Sequence, residues 1–551
     1  MAEGDRFELS SPHLEAIARQ RRVVQNFDIL LVDPDQFDSI EAIVESRFDF
    51  IDDPETCTDS VWWNWSEGNA VPWASKRLQR YNVPGYLHLL EEGVDIVSVI
   101  LEETRRRGLE VFYSHRMNGA DNDPQYKEDK GAYIDDDANR YLIPFKEDNP
   151  QWMITRPHTR SPALNFEFAE VRSWVLKNLR EVAEEFDFDG IELDFARNPP
   201  FLPPGRAWQL RDCMTEFMRS VRAMTLEVET KRGRPFLLAA RVPETPPGCH
   251  YDGLHVERWA DEQVVDLLVL GCRNFEVDVA AFRRAVAGTP IKLYCALDEH
   301  HSSDGYTAPP IEVLRGVFAN WNHQGADGIQ TFNWKYGPDP GELHWPLHLQ
   351  AYRELGDPVK IRLEDKVFVL NRRGGGHGPS VIPNPEDWRT PWRGFHNSNM
   401  LAQLPAALAS DGRADTLLTL YVGDDVNAEV DRLDRITLRL LLNDPGAAAL
   451  LDDQRLEAIL VREFVVPPRV GGPGPMHHWT TPPKRGIERD VEVRLNNIPL
   501  DVGREESSWL LFDVAPSTLA VGENLVGVRV GGRLGGEAML VEKLELAVTY
   551  R

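Results

Sequence analysis

Two hydrophobic periods alternate along the first two thirds of the chain. Short, mostly apolar runs rich in β-branched and aromatic residues, such as 109–118 and 264–271, are typical of buried parallel strands. Between such runs, apolar residues recur three and four positions apart, as through 169–186, which predicts helices with one buried face. We therefore expect repeated β/α units after a polar N-terminal arm.

The number of these units predicts the architecture. Strands are expected at 23–30, 60–65, 109–118, 190–195, 235–243, 264–271, 291–297 and 328–334. The main helices are expected at 39–48, 89–107, 169–186, 206–231, 275–287, 310–323 and 343–355. About eight β/α units over roughly 330 residues are typical of a (β/α)8 TIM barrel. A doubly wound sheet is the alternative, but it usually carries a glycine-rich phosphate turn after an early strand, and none is present there.

Two segments depart from this alternation. Residues 119–165 form a long polar insertion, which makes them a candidate active-site lid. From about residue 358, strand-like runs are separated by Gly, Pro, Asp and Asn turns, as in an antiparallel β-sandwich. We therefore predict a catalytic barrel over 1–357 and a β-sandwich over 358–551. The sandwich is expected to be a structural support or an oligomer contact rather than a glycan-binding module.

Composition narrows the range of partners. The 551 residues carry a formal net charge of -27, which argues against a nucleic-acid or anionic-membrane partner because either needs a basic surface. The chain begins with polar residues and has no run near the roughly 18 apolar residues of a membrane span, so a cytoplasmic location is expected. Its five dispersed cysteines favour neither a disulfide framework nor a zinc site.

The predicted fourth strand, 190–195, carries the most informative chemistry. Ile191, Leu193 and Phe195 would form one apolar face, whereas Glu192 and Asp194 lie two residues apart and therefore point to the opposite face. Two carboxylates inside a core are costly unless they are partnered or functional. This strand is therefore expected to contribute to an active site.

Polar and aromatic residues also cluster at the predicted ends of the other strands, where barrel enzymes have their active sites. The candidate substrate-binding residues are Trp62, Trp63, Asn64, His115, Arg116, Asn118, Glu192, Arg197, Arg241, Glu299, His300, Asn333 and Trp334, with Asn26 and Asp28 at the end of the first strand. Sugars need flat apolar platforms, hydrogen-bonding side chains and two carboxylates that flank the glycosidic oxygen. The sequence offers all three, although the tryptophans could equally pack the barrel rim.

The catalytic roles can be assigned as hypotheses. Asp194, near the open end of its strand, is expected to be the nucleophile, or the base if the enzyme inverts. The proton donor must come from another strand, because residues two apart on one strand point in parallel; Glu244 is the first candidate and Asp298 or Glu299 the second. Glu192 lies deeper and is expected to orient other groups, paired with Arg241 or Arg116, or else to form a structural ion pair.

A metal site is the competing interpretation of one of these strand ends. Asp298, Glu299, His300 and His301 combine residue types that suit zinc or manganese, but their spacing is not a recognised ligand signature. Substrate binding or plain loop histidines fit better. We therefore expect no metal and no cofactor.

The run 187–195 with Arg197, preceded by 110–118, resembles glycoside-hydrolase-like barrels whose fourth strand has the pattern Asp-Gly-Ile-x-x-Asp-Phe. A barrel followed by a β-sandwich is also similar in layout to amylase-, galactosidase- and fucosidase-type hydrolases. That resemblance implies a catalytic Asp at position 194, and the amylase type also implies roles for Glu244 and Asp298. The chain departs from the amylase pattern by having Glu192 where an Arg is expected and by lacking its Asn-His-Asp signature at strand seven.

Together these features predict a glycoside hydrolase that acts on an oligosaccharide or glycoside. Two alternatives stay open. The barrel could bind carbohydrate without catalysis, or it could be a metal-dependent lyase or hydrolase that uses the cluster from Asp298 to His301.

Overall fold

The computed structural model describes residues 6–28, 39–48, 51–66, 71–78, 89, 91–118, 144–156, 159–197, 199–271, 274–298, 309–334, 345–371, 400–443, 491–501, 504–506, 509–531 and 538–551. Its central feature is a closed barrel of parallel strands, numbered here in chain order. They are β1 (Val23–Asp28), β2 (Thr58–Ser66), β3 (Glu110–Arg116), β4 (Gly190–Asp194), β5 (Leu237–Val242), β6 (Leu267–Leu270), β7 (Lys292–Leu297) and β8 (Gly328–Phe332). Each strand pairs with the next in sequence, and β8 closes on β1. The predicted TIM barrel is confirmed, and a closed sheet excludes the doubly wound alternative.

Helices surround the barrel. They are α1 (Ser11–Ala18), α2 (Ile40–Phe48), α3 (Ile96–Arg106), α4 (Pro144–Asp148), α5 (Ala169–Glu185), α6 (Arg211–Arg232), α7 (Pro246–Tyr251), α8 (Val256–Asp261), α9 (Val279–Ala285), α10 (Ile311–His323) and α11 (Trp345–Glu354). Within the helix predicted over 89–107, residues 89 and 91 are helical, and α3 begins after a turn at Ile96, where Asp95 caps it by accepting a hydrogen bond from the Ser98 amide. None of the helices in the described ranges combines the length and apolar character of a membrane span.

The pleat of the strands separates two cores. Ile191 and Leu193 of β4 face outward and join the large cluster shared with the helices. Val24, Trp62 and Phe112 face inward and fill the lower half of the barrel in a second, smaller cluster. Ala16 and Ile17 of α1 belong to this inner cluster, so α1 covers the end of the barrel opposite the carboxyl ends of the strands. The segment predicted as a polar arm therefore contains a helix that closes the core.

Part of the predicted lid has defined structure. It contains α4, a turn of 3-10 helix at Pro150–Trp152 and an antiparallel hairpin of Met153–Arg156 with Thr159–Leu164. Residues 119–143 lie outside the described residues. The lid role stays a prediction.

The C-terminal part forms two antiparallel sheets. Their strands are β9 (Lys366–Val369), β10 (Ala406–Ala407), β11 (Thr416–Val422), β12 (Leu433–Asn443), β13 (Val491–Leu495), β14 (Ile498–Pro499), β15 (Arg504–Glu506), β16 (Trp509–Asp513), β17 (Gly522–Val530) and β18 (Leu540–Tyr550). One sheet has the order β9-β18-β12-β16-β15, with β10 on β18, and the other has the order β11-β17-β13-β14. The predicted β-sandwich is confirmed as an architecture, while the domain boundary at 357/358 stays a prediction.

Candidate active site

Inward-facing residues change from apolar to polar along the barrel axis. Near the amino ends of the strands, Trp62 stacks on Phe112 with ring centroids 4.7 Å apart. Nearer the carboxyl ends, the same face of each strand carries Asn26, Ser114 and Glu192, which are all buried. Because alternate residues of a strand share a face, each apolar position is followed two residues later by a polar one. The upper half of the barrel is therefore a buried polar layer.

Glu192 is at the centre of this layer. Its Oε2 accepts hydrogen bonds from Asn26 Nδ2 at 2.7 Å and from the Ser114 hydroxyl at 2.5 Å, and its Oε1 accepts one from Gln330 Nε2 at 3.0 Å. Burial raises the pKa of Glu192, and the nearby charge of Asp194 raises it further, while Arg241 and the hydrogen bonds oppose this. Donors from three other strands thus hold the carboxyl group in one orientation.

Asp194 lies one layer higher and is paired with Arg241 on the neighbouring strand. The guanidinium group of Arg241 donates from Nε to Asp194 Oδ1 at 3.1 Å and from Nη2 to Asp194 Oδ2. Asp194 and Arg241 are register partners, so their side chains meet across adjacent strands. Asp194 is 0% exposed, and its Oδ1 also accepts from the Ala196 amide at 2.8 Å. The predicted partner of Glu192, Arg241, therefore binds Asp194 more closely, with 4.0 Å between its Nε and Glu192 Oε1.

A second buried carboxylate–guanidinium pair lies beside the first, since Arg116 on β3 is the register partner of Asp194 on β4. Arg116 Nη2 donates to Asp28 Oδ2, which also accepts from Asn333 Nδ2 at 2.6 Å. Asn333 has φ 54°, in the left-handed region that Asn adopts more readily than most residues, and its Oδ1 accepts from the Asp28 amide at 2.9 Å. The guanidinium carbons of Arg116 and Arg241 lie 5.6 and 4.1 Å from the ring centroid of Phe332. The Phe332 ring thus packs near the guanidinium groups of both ion pairs.

Glu244 and Asp298 follow β5 and β7 and are both buried, at 1% and 0% exposure. Glu244 Oε1 accepts a hydrogen bond from Asn274 Nδ2 at 2.6 Å. Gly271, which directly follows β6, has φ +74°, and a Cβ atom built on it would lie 3.3 Å from Glu244 Cβ. The backbone after β6 therefore approaches the Glu244 side chain closely. The loops after β5 and β6 together fix the Glu244 carboxylate.

Several of the other predicted site residues have packing or linking positions. Trp63 is in the outer core, stacked on Phe27, and its Nε1 donates to Thr104 of α3 at 3.1 Å. Trp334 is buried and donates from Nε1 to the Leu297 carbonyl at 2.8 Å. Trp62, described above, lies inside the lower barrel, and Trp65 is in the outer core. The described structure thus supports the packing interpretation of these tryptophans.

Two further candidates, His115 and Asn118, lie outside the polar layer. His115 shares the outward pleat face of Tyr113, with ring centroids 5.9 Å apart, and burial lowers the pKa of His115 to about 4 although Asp194 opposes this. Asn118 donates from Nδ2 to the Pro200 carbonyl at 2.8 Å and accepts from the Leu164 amide at 2.9 Å. Asn118 therefore ties the hairpin of the insertion to the loop after β4.

The last of the predicted site residues are Asn64, Arg197, Glu299, His300 and His301. Asn64 is buried beside Asp28, its register partner on β1, and donates from Nδ2 to the Ser114 carbonyl at 3.1 Å. Arg197 is half-buried in the loop after β4. Glu299, His300 and His301 lie outside the described residues. Within the part of the chain that the structure describes, no group of three or more His, Cys, Asp or Glu residues could hold a metal ion.

Four contributors to the site were not among the predicted residues. Ser114 and Gln330 had the same signal as Glu192, a polar residue on the inward face of a buried strand. Phe332 is an ordinary apolar strand residue in sequence. Asn274 lies in a loop, and no sequence pattern marks it as the partner of Glu244.

No family model matches the chain, and no curated protein matches it in sequence. Among solved structures, it is similar to a maltogenic α-amylase from Thermotoga neapolitana, with 10% identity over 92% of this chain and 98% of that one and a TM-score of 0.36. It is similar to an α-amylase from Geobacillus thermoleovorans, with 12% identity, coverage of 93% and 99%, and a TM-score of 0.37. It is also similar to an α-L-fucosidase from Paenibacillus thiaminolyticus, with 10% identity, coverage of 96% and 100%, and a TM-score of 0.42.

These solved structures are the kinds of hydrolase that the sequence resembles. With identities of 10–12% and TM-scores of 0.36–0.42, their likeness supports no inference about the site or the reaction. The class of this chain as a barrel followed by a β-sandwich follows from its own strand order.

Proposed function

We propose that this protein is a glycoside hydrolase whose active site lies at the carboxyl ends of the barrel strands. The observation that carries the proposal is the set of buried carboxylates there, contributed by four strand ends: Asp28, Asp194, Glu244 and Asp298. Closing a barrel does not require buried charge, and each such group costs free energy that packing alone would not repay. Carboxylates at this end of a barrel are usually kept for binding or catalysis.

Within this set, Asp194 is the proposed nucleophile, or base in an inverting reaction. Its pairing with Arg241 fixes the orientation of both carboxylate oxygens. Substrate entry would have to redirect this pair, since the carboxylate is fully buried. Arg241 would then be free to bind a sugar hydroxyl.

Glu244 is the proposed proton donor. It comes from a different strand end than Asp194, as protonation of a glycosidic oxygen across the bond requires. Its hydrogen bond from Asn274 at 2.6 Å orients the carboxyl group at this strand end. Asp298 stays the second candidate for this role, because it too is buried at a strand end.

A carbohydrate-binding barrel without hydrolytic activity is the second candidate function. The fully buried ion pair of Asp194 with Arg241 favours it, because a carboxylate held in a bidentate pair is a weaker nucleophile than a free one. The two functions differ in one measurable property, the turnover of a glycoside.

The test is hydrolysis of a panel of aryl glycosides and oligosaccharides by the wild-type protein, Asp194→Asn and Glu244→Gln. We expect each variant to lose about 100-fold or more in kcat/KM on the substrate that the wild type cleaves. Glu244→Gln should lose less on substrates with an activated aryl leaving group, since these need no proton. Asp261→Asn, at an exposed helix end, is the matched control and should keep full activity.

The outcomes separate the candidates. Loss in the two variants with retained folding supports the hydrolase and its carboxylate pair. Sugar binding without turnover by the wild type supports the binding barrel. Unchanged hydrolysis in Asp194→Asn would show that the catalytic centre lies elsewhere.

A further inference from the structure

Two neighbouring strands each carry, at the mouth of the barrel, one buried side-chain oxygen that has no hydrogen-bond partner among the described residues. Asp28 and Asn64 are 7% and 1% exposed, and they are register partners on β1 and β2. Among the residues that the structure describes, neither Asp28 Oδ1 nor Asn64 Oδ1 has a hydrogen-bond partner. A buried acceptor without a donor is costly, the more so for a carboxylate oxygen. Two of them side by side therefore need an explanation.

The hydrogen bonds around these two residues fix which atoms stay unpaired. Asn64 Nδ2 donates to the Ser114 carbonyl, which can only accept, so the amide cannot turn its oxygen toward that carbonyl. Asp28 Oδ2 is occupied by Arg116 and Asn333, which leaves Oδ1 as the open acceptor. Both side chains are thus held with one oxygen that no described residue satisfies.

The charge around the pair indicates what it would bind. Arg116 neutralises Asp28, and Asn64 is uncharged, so the pair is rich in acceptors without carrying net negative charge. A neutral group with two hydrogen-bond donors fits this arrangement better than a cation does. Adjacent strands place their register partners roughly 5 Å apart, close enough for one sugar ring to reach both.

We infer that Asp28 Oδ1 and Asn64 Oδ1 form a subsite that accepts hydrogen bonds from two hydroxyl groups of one neutral sugar ring. This inference rests on the proposed function and adds the residues that select the sugar. Asp28 and Asn64 bind the sugar hydroxyl groups. Asn333 positions Asp28, because its left-handed backbone turns its side-chain amide back onto the Asp28 carboxylate. Neither Asp28 nor Asn64 needs to take part in bond cleavage.

The test combines a change in the protein with a change in the sugar. Binding of D-glucose, D-galactose, D-mannose, L-fucose and D-glucosamine to the wild-type protein is measured by titration calorimetry, followed by the monodeoxy forms of the neutral sugar that binds best. We expect two of the monodeoxy sugars to bind about 10-fold more weakly than their parent. In Asn64→Ala, one of those two penalties should disappear. In Asp28→Asn, the loss of affinity caused by the other monodeoxy sugar should become smaller.

Asn178→Ala is the matched control. Asn178 is also a buried asparagine, its side-chain amide has no hydrogen-bond partner in the described part of the chain, and it lies on α5 away from the barrel mouth. Its replacement should leave the discrimination between parent and deoxy sugars unchanged. The wild-type comparison needs no variant to fold, so a misfolded Asp28→Asn would not remove the test.

The results distinguish this inference from the proposed function. Selective loss of hydroxyl discrimination in Asn64→Ala, with or without hydrolysis, supports the subsite. Hydrolysis with hydroxyl discrimination equal in wild type and Asn64→Ala would overturn the subsite and leave the hydrolase standing. Failure of every panel sugar to bind at millimolar concentration, or preferential binding of D-glucosamine, would also overturn it.

Discussion

The two ion pairs of the barrel mouth are matched in chemistry but differ in their surroundings. Arg241 binds Asp194 through two donors and also lies within 4.0 Å of Glu192, whereas Arg116 binds Asp28 through one donor. Arg241 therefore serves two buried carboxyl groups at once. Removing it would leave Asp194 buried without the guanidinium that binds both of its oxygens.

This difference predicts a large effect of Arg241→Met. Methionine keeps most of the apolar volume but leaves Asp194 buried without a counter-charge, so the free energy of unfolding should fall by about 3–5 kcal/mol. Urea denaturation followed by circular dichroism measures it. Arg529→Met, which breaks an ion pair with an exposed partner, Glu492, should cost much less, because solvent screens that pair. Equal losses in the two variants would show that the Arg241 pair contributes no more than a surface pair.

Sequence could predict part of this site at the level of single residues. The alternation through Ile191, Glu192, Leu193 and Asp194 placed both carboxylates on one face, and they do share the inward face. It could not assign Arg241 to Asp194 rather than to Glu192, because that choice depends on the register of β4 against β5. The Asn274 contact with Glu244 was equally out of reach, since it depends on how two loops pack.

Helix α1 covers the closed end of the barrel and is held there in part by buried charged residues. His13 on α1 lies between two carboxylates, with Nδ1 2.5 Å from Glu229 Oε2 and Nε2 3.1 Å from Asp266 Oδ1. Arg222 also donates to Asp266, so three elements meet at this point. The helix is thus held by a buried charge cluster as well as by its two apolar residues in the inner core.

The stability of this contact should depend on pH through His13. Burial lowers the pKa of His13 and Arg222 lowers it slightly, but Asp266 and Glu229 outweigh them and raise it above 6.5. A raised pKa means that the folded protein holds a proton that the unfolded chain has lost. The stabilisation is therefore complete below about pH 6.5 and declines as the pH rises through the folded value.

His13→Gln tests this dependence. Glutamine keeps a hydrogen-bond donor but cannot be charged, so the variant should be less stable than wild type by about 1–3 kcal/mol at pH 6. The difference between the two proteins should shrink as the pH rises through the raised pKa of His13 in the folded protein. Asp266 has a lowered pKa and stays ionised across this range, so it adds no slope of its own. A difference that grows with pH would contradict the assigned protonation.

Elements were easier to predict than their ends. All eight barrel strands lie within or close to the predicted runs, because each is a buried strand with a strong apolar signal. Helix α1 was not predicted, since its eight residues carry only a weak apolar stripe and its N-cap, Ser10, looks like ordinary polar sequence. Its helical form depends on the barrel end that it covers, which no local pattern reveals.

At the scale of the whole molecule, the barrel and the sandwich meet along α10. Gly316 of α10 faces β9, and a Cβ at this position would lie 2.3 Å from the Val367 carbonyl oxygen. Gly423, after β11, approaches the same helix, and its amide donates to Asn320 Oδ1 at 2.7 Å. This contact of α10 with β9 and Gly423, called the seam below, could not be predicted from the sequence, because a glycine at a close approach looks like any other glycine.

This seam predicts the result of Gly316→Ala. In an isolated helix, alanine would stabilise by roughly 0.5–1 kcal/mol. Here its methyl group would collide with a backbone carbonyl that cannot turn away, so overpacking should outweigh that gain and the net loss should be about 1–3 kcal/mol. Because the seam joins two core regions, the loss should appear in the main unfolding transition rather than in a separate minor one.

The measurement is urea denaturation of wild type, Gly316→Ala and a control on the same helix. Asn322→Ala is that control, because Asn322 is exposed on α10 and alanine there should change the free energy of unfolding by less than about 0.5 kcal/mol. A stabilised Gly316→Ala would mean that helix propensity dominates and that α10 does not press against β9. A separate early transition in the variant would mean that the sandwich unfolds independently of the barrel.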